Sequence, residues 1–140
     1  AFTAVEDYLT RFPRDWKVEL KTVKEEPRHG QSKSDLMAAE ADRIRKAIPK
    51  GSLLVTLDER GKDLTTVEFA KKLSAWQDSG ESVAFVIGGT DGIDPALKQE
   101  SRMMIRLSSM TLPHALARVI LSEQIYRAWS ILNNHPYHRA

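Results

Sequence analysis

The chain has 140 residues, of which 41% are hydrophobic and 29% charged, and its formal net charge is +2. A chain of this length can form one compact domain with a proper core, and the absence of Cys from the sequence excludes disulfide scaffolds, thiolate catalysis and Cys-ligated metal sites. The longest apolar run, residues 83–87, is too short to cross a bilayer, and the first residues are acidic where a secretory signal would be basic. We therefore expect a cytoplasmic protein without a membrane span.

The small net charge hides an uneven distribution. Residues 98–140 contain six Lys or Arg and two Glu, a net charge of +4, whereas residues 1–97 carry −2. Three of the four His, namely His114, His135 and His138, lie in this basic last third. Such a distribution fits a C-terminal part that meets a polyanion, and it also fits an ordinary mixed surface, so charge alone leaves both readings open.

The first third predicts a helix, a strand and a polar loop. Apolar residues recur at helical spacing over residues 2–12, and their alternation over residues 16–23 indicates a strand with one wet face. Residues 24–34 indicate a surface loop, which is either a plain connector or a basic segment that reaches a ligand. A helix follows, with Ser34 as its expected N-cap and residues 49–51 as its end.

The middle of the chain changes to strand-like runs. Residues 53–57 form a near-continuous apolar stretch, which is typical of a strand covered on both faces, and residues 58–61 are expected to end it. Thr65 and Glu68 have the spacing of a capping box and predict the start of a helix that Gly80 ends.

A glycine-rich turn follows the next strand. The apolar run at 83–87 predicts this strand, the turn occupies residues 88–92, and Asp94 with Pro95 predicts the start of a short helix. Glycines there allow a ligand close to the backbone, although the turn lacks the spacings of dinucleotide and Walker loops; a tight turn that needs positive φ is the alternative. Because ligands of parallel sheets bind at the carboxyl ends of strands, this turn and Leu57 are candidates for a binding site.

The last third predicts a strand over residues 103–107, a loop over 107–113 and a long helix over 113–132. The loop has no obvious turn residues, so we expect it to pack inward. The helix is apolar over about half its circumference, with Val119 and Tyr126 outside that face, which favours a second contact surface such as a dimer interface. The alternation of strands and helices predicts an α/β domain with a largely parallel sheet.

The tail, residues 133–139, concentrates amides, imidazoles, a phenol and a guanidinium. Such groups stack on bases or bind phosphates, so the tail either faces a ligand or is merely solvated. His135 and His138 have no neighbouring carboxylate or thiol, and we expect no metal site. Glu123 and Arg127, four residues apart on the last helix, are expected to form a modest surface ion pair.

Four stretches resemble one protein family: LLVTLD at 53–58, VIGGTDG at 86–92, LSSMTLPH at 107–114 and EQIYRAWSILNNHPYHR at 123–139. They are similar to the RlmH family, formerly the YbeA group, which are ribosomal large subunit pseudouridine N3-methyltransferases of the SPOUT class. The resemblance covers nearly the whole chain, and its last stretch is the most specific.

This resemblance implies an α/β knot with a mostly parallel sheet, helices on both faces and a C-terminal trefoil knot, in a homodimer. It implies S-adenosylmethionine as cofactor, the 23S rRNA of the ribosome as partner, and no metal or membrane. The leading function is methylation of a pseudouridine at ring nitrogen N3. A non-catalytic RNA- or ribosome-binding dimeric module and a plain dimerisation domain are the alternatives. The residues implied as cofactor contacts are Leu57, Gly88, Leu107, Ser108, Ser109, Met110, Thr111 and Leu112.

Three tail residues are expected to serve the reaction. His138 is the hypothesised proton acceptor or relay, Arg139 holds RNA phosphate or stabilises the anionic base, and Tyr137 stacks on or hydrogen-bonds to the base. Members of the family begin with a strand and a short turn ahead of the helix that starts here at Phe2. We therefore expect residues 1–140 to be a single domain that lacks the family's first strand.

Overall fold

The computed structural model describes residues 32–48, 50–80, 82–87 and 93–138. Helices and strands alternate within these ranges, which confirms the α/β class. The predicted helix at 2–12, the strand at 16–23, the turn with Gly88, and Arg139 lie outside the described residues, and the trefoil knot stays a prediction. In chain order the elements are α1 (Lys33–Ala47), β1 (Leu53–Asp63), α2 (Thr66–Asp78), β2 (Val83–Ile87), α3 (Pro95–Gln99), β3 (Met103–Arg106) and α4 (His114–Leu132).

The three described strands form one parallel sheet in the order β2–β1–β3. Leu57 of β1 pairs with Ile87 of β2 on one side and with Ile105 of β3 on the other, so the regular pairing of the three strands ends at a common edge. We call this the carboxyl edge. Ligands of parallel sheets bind at this edge, and the loop at 107–112 begins directly after β3 reaches it.

Helices cover both faces of the sheet, as buried parallel strands require. One face packs against α2 and α4, and the other against α1 and α3. Each fully buried aliphatic side chain contributes about 1.5–3 kcal/mol to this core. The larger cluster contains Leu53, Val55, Leu57, Phe69, Leu73, Trp76, Ile105, Leu121, Ile125 and Ala128, and the smaller one contains Ala41, Val86, Ile93 and Leu97.

Strand β1 is longer than the sequence predicts. Residues 58–61 were expected to end it, but they lie inside the strand as an interruption of its pairing. Ile105 faces both Leu57 and Lys62, so the residues between them bulge out of the ladder. Gly61 is required in this bulge, because a Cβ there would lie 2.6 Å from the backbone carbonyl carbon of Ile105.

The helix ends follow their capping residues. Thr65 Oγ1 accepts the backbone N–H of Glu68 at 3.1 Å, and the Glu68 carboxylate accepts the N–H of Thr65 at 2.9 Å, which confirms the capping box. Asp94 caps α3 as predicted, with Pro95 next to it. Helix α1 begins earlier than predicted, because the side chain of Ser32, rather than that of Ser34, caps it.

Two packing expectations for the last third are wrong. The loop at 107–113 does not pack inward along its length, since Met110 at its centre is 76% exposed. Tyr126, which was assigned to the side outside the apolar face, is buried. The predicted end of α4 at Leu132 is confirmed, and the helix begins at His114, one residue after the predicted start, with Pro113 as its N-cap. Within the described ranges, none of the helices has the length and hydrophobicity that a membrane crossing needs.

Candidate functional site

The carboxyl edge carries most of the residues expected to contact a cofactor. Leu57 is buried at the end of the regular β1 pairing, and Leu107 packs against the same core cluster. The N–H of Met110 donates to Ser108 Oγ at 3.0 Å. Along the loop, Leu107, Ser108 and Leu112 are half-buried, whereas Ser109, Met110 and Thr111 are exposed.

Asp58 lies one residue beyond Leu57, where β1 leaves the ladder. Its Oδ2 accepts from Lys98 Nζ of α3 at 2.7 Å, and its Oδ1 accepts from the backbone N–H of Arg60 at 2.8 Å. Burial on its own raises the pKa of Asp58, but the hydrogen bonds from Lys98 and Arg60 outweigh this effect and hold the pKa below its ordinary value. The carboxylate therefore stays charged and joins the strand end to α3.

The tail reverses direction directly after α4. Asn134 adopts a left-handed φ of 53°, its N–H donates to the carbonyl of Ile131 at 3.3 Å, and the N–H of His135 donates to the carbonyl of Ser130 at 2.8 Å. These two bonds form a Schellman motif, and Pro136 follows, which cannot continue a helix. The tail is thereby turned back along α4 instead of fraying.

Glu123 and Arg127 hold the returning tail against α4. Glu123 Oε1 accepts from Arg127 Nε at 2.7 Å and from the Tyr137 hydroxyl at 3.1 Å. The Arg127 guanidinium lies 4.9 Å from the centre of the Tyr137 ring and donates from Nη1 to His138 Nδ1 at 3.2 Å. The ion pair expected on the surface is instead partly buried, with 17% of the Glu123 side chain exposed.

The contact with Arg127 fixes which nitrogen of His138 carries the hydrogen. A guanidinium has donors and no acceptor, so His138 Nδ1 accepts in this contact. A neutral His138 therefore carries its hydrogen on Nε2. In this arrangement the ring can donate from Nε2.

Tyr126 is buried because the tail covers it. Its ring lies edge-on to that of Tyr137 at 4.6 Å and stacks with that of Trp129 at 5.5 Å. The His135 ring lies 5.4 Å from that of Trp129. The indole N–H of Trp129 is buried without an acceptor among the described residues.

Within one chain the predicted residues form two separate groups. Tyr137 and His138 are brought together beside Glu123, while the loop residues lie near the N-terminal end of α4. A rise of 1.5 Å per residue puts Glu123 roughly 14 Å along the helix axis from His114. In the part of the chain that the structure describes, three or more His, Asp or Glu side chains do not converge as they would to hold a metal ion.

Two features of these groups were not predicted from the sequence. The contact between Asp58 and Lys98 joins residues far apart in the chain, although an Asp directly after a buried strand is a detectable signal. The anchoring role of Glu123 was also missed. Tyr126, an aromatic residue three positions before Trp129 and outside the apolar face, was the signal that a further segment covers this side of α4.

Comparison with known proteins assigns the family. Residues 1–138 match the family model described as "Predicted SPOUT methyltransferase". The chain is 55% identical over 134 residues to the "Ribosomal RNA large subunit methyltransferase H" of Ralstonia pickettii, a match that covers 95% of this chain and 86% of that protein. It is 58% identical over 139 residues to the protein of the same name from Albidiferax ferrireducens, covering 99% and 90% of the two chains. The equivalent from Burkholderia thailandensis is 53% identical over 139 residues, with 99% and 89% covered. The chain therefore belongs to the SPOUT methyltransferase family.

Proposed function

We propose that the chain transfers a methyl group from S-adenosylmethionine to ring nitrogen N3 of a pseudouridine in the 23S rRNA of the ribosome. Family membership supports methyl transfer, and the names of relatives that are 53% to 58% identical support the large ribosomal subunit as the source of the RNA. The observation that carries the proposal is the anchored tail. Tyr137 and His138, whose side chains suit base recognition, are held against α4 by Glu123 and Arg127.

The carboxyl edge fits S-adenosylmethionine in its chemistry. Leu57, Leu107 and Leu112 supply apolar surface for an adenine ring, and the non-helical backbone of residues 107–112 supplies N–H and C=O groups. Met110 adds a large exposed apolar side chain at the centre of this loop. These residues, with Gly88, are the ones that would hold the cofactor. When bound, it supplies an electrophilic methyl group.

The residues of the chain would align the base and manage its proton. The pseudouridine nitrogen must lose a proton as it attacks, so the rate depends on positioning and on where that proton goes. Tyr137 stacks on or hydrogen-bonds to the base, and Arg139 holds a phosphate or stabilises the anionic base. His138 donates from Nε2 while Arg127 occupies Nδ1, and it becomes the proton acceptor or relay when that contact opens.

The acting form in this proposal is a cytoplasmic homodimer. Met110 and Leu116 expose 76% and 45% of their surface. A second copy would cover such groups. It would also bring together two C-terminal segments of +4 each, which strengthens the field that attracts RNA.

The test is methyl transfer from radiolabelled S-adenosylmethionine to ribosomes, followed by mass spectrometry of the modified nucleoside. We expect N3-methylated pseudouridine, and we expect Arg139→Ala to abolish its formation while cofactor affinity is kept. Ribosome binding without cofactor binding would favour the non-catalytic RNA- or ribosome-binding module. Absence of both would favour a dimerisation domain.

A further inference from the structure

We propose that the ion pair between Asp58 and Lys98 positions the segment of β1 just after Leu57, at the carboxyl edge, for cofactor binding. This inference rests on the proposed function, because it concerns the same edge of the sheet. The pair links two elements that the sheet pairing does not join, the end of a central strand and the helix α3 on one face of the sheet. Asp58 and Lys98 are therefore positioning residues and not catalytic ones.

The segment of β1 just after Leu57 needs a contact to a neighbouring element. Residues 58–61 lie outside the ladder between β1 and β3, so strand pairing does not fix the backbone just after Leu57. Asp58 supplies the missing constraint with both carboxylate oxygens, one bonded to Lys98 and the other to the N–H of Arg60. The first bond ties the bulge to α3, and the second shapes the bulge itself.

Helix α3 is a firm anchor for the other end of the pair. Leu97, next to Lys98, is 1% exposed and packs with Val86 and Ala41 in the smaller core cluster. The N-terminal end of the helix is capped by Asp94. Lys98 therefore projects from a helix whose place is set by the core, and Asp58 receives a defined position from it.

The burial of Asp58 separates this pair from other long-range ion pairs of the described residues. The Asp58 side chain is 10% exposed, whereas Glu100, the partner of Arg45, is 50% exposed and Asp63, the partner of Arg106, is 67% exposed. Burying a charged pair adds little net stability, because the cost of desolvation offsets the attraction. We infer that the principal effect here is geometric, and a binding site is sensitive to displacements of about 1 Å.

The test uses the full-length protein and compares Asp58→Asn, Lys98→Met and the double variant with Glu100→Gln. Asp58→Asn removes the charge and keeps an oxygen for the N–H of Arg60. Glu100→Gln makes the equivalent acid-to-amide change in the exposed ion pair at the C-terminal end of α3. For each protein, the Kd for S-adenosylmethionine is measured by titration calorimetry, the melting temperature by circular dichroism, and kcat at saturating cofactor.

We expect each single variant to raise the Kd about tenfold with kcat little changed, and the double variant to be no worse than either single one. Glu100→Gln should stay within about twofold of wild type. An unchanged Kd in folded Lys98→Met protein would overturn the inference, whether or not the melting temperature falls. Additive effects in the double variant would also overturn it, because the residues would then act separately.

The outcome also separates this inference from the proposed function. If the wild-type protein does not bind S-adenosylmethionine, both fail together. If the wild type binds and the Asp58 and Lys98 variants bind equally well, the inference about the ion pair fails alone. Lys98→Met retains the full Asp58 side chain, so it decides the matter even if Asp58→Asn does not fold.

Discussion

The loop after β3 and the tail after α4 lie in the same last third of the chain, yet neighbouring elements hold them very differently. The loop has an exposed Met110 at its centre, and a hydrogen bond to Ser108 lies within the loop itself. The tail contacts α4 through a hydroxyl, an imidazole and an aromatic ring, which meet Glu123, Arg127 and Tyr126. The tail is thus held in place by the side chains of α4, although its own sequence is polar.

This difference suits two separate tasks. A loop that leaves a large apolar side chain such as Met110 in solvent can gain buried area by contacting a ligand. A tail whose Tyr137 and His138 are already fixed loses little conformational entropy when it meets RNA. The exposed centre of the loop is therefore free to adjust to a bound cofactor, whereas Tyr137 and His138 are already held against α4.

The largest expected effect comes from releasing the tail. Glu123→Ala removes the carboxylate oxygen that accepts from both Arg127 Nε and the Tyr137 hydroxyl, so we expect methyl transfer to fall about 100-fold through misplacement of His138. Cofactor affinity should not change, because the loop precedes the N-terminal end of α4, roughly 14 Å along the helix axis from Glu123. Single-turnover rates and titration calorimetry measure the two quantities, with Glu100→Ala in the exposed ion pair with Arg45 as the matched control. A parallel loss of cofactor affinity would contradict the separation of the two regions.

A second prediction concerns Gly61 in the bulge of β1. Gly61→Ala places a Cβ 2.6 Å from the backbone of Ile105, and we expect the free energy of unfolding to fall by about 2 kcal/mol as β1 and β3 are pushed apart. Urea denaturation measures this loss.

Gly51→Ala is the matched control for this change. Gly51 has φ +84° and nothing within 4 Å of an added Cβ, so the substitution costs about 1 kcal/mol through backbone strain alone. An equal or smaller cost for Gly61→Ala would show that the bulge adjusts to a side chain.

Local chemistry explains which parts of the fold were predictable from sequence. The bounds of strand β2 and the caps provided by Thr65 and Asp94 depend on residues within a few positions, and each was predicted correctly. The start of α1 was missed because Ser32 and Ser34 are equally good N-caps by residue type, and the choice between them is made by the folded chain.

Contacts between residues far apart in the chain explain the features that were not predicted. The continuation of β1 through its bulge depends on pairing with Ile105, a contact that the hydrophobic periodicity of the sequence cannot predict. The burial of Tyr126 depends on a tail that returns along α4, and the resemblance identified Tyr137 and His138 without showing what holds them. The anchoring function of Glu123 could not be predicted from its spacing to Arg127, since the same spacing usually produces a surface pair.

A smaller effect is expected in the loop. Met110→Ser should leave the melting temperature unchanged, because the side chain is 76% exposed, and raise the Kd for S-adenosylmethionine about fivefold through lost apolar contact. Val67→Ser, which alters a side chain 44% exposed on α2, is the control and should change neither quantity. Calorimetry and thermal melts decide the matter, and a large drop in melting temperature for Met110→Ser would mean that the loop is packed in solution.

The smallest expected effect is the response of the edge to pH. Burial raises the pKa of Asp58, but its bonds to Lys98 and Arg60 leave the pKa below the ordinary value of about 3.9. Because the folded protein lowers the pKa of Asp58, the charged carboxylate contributes its full stabilisation at pH values above its ordinary pKa. This contribution is lost as the pH falls through the lowered pKa. The difference in melting temperature between wild type and Asp58→Asn should therefore stay constant from about pH 8 to pH 5 and shrink below about pH 4. Thermal melts across this range measure it, and a difference that already shrinks above about pH 5 would show that Lys98 does not hold the charged carboxylate in solution.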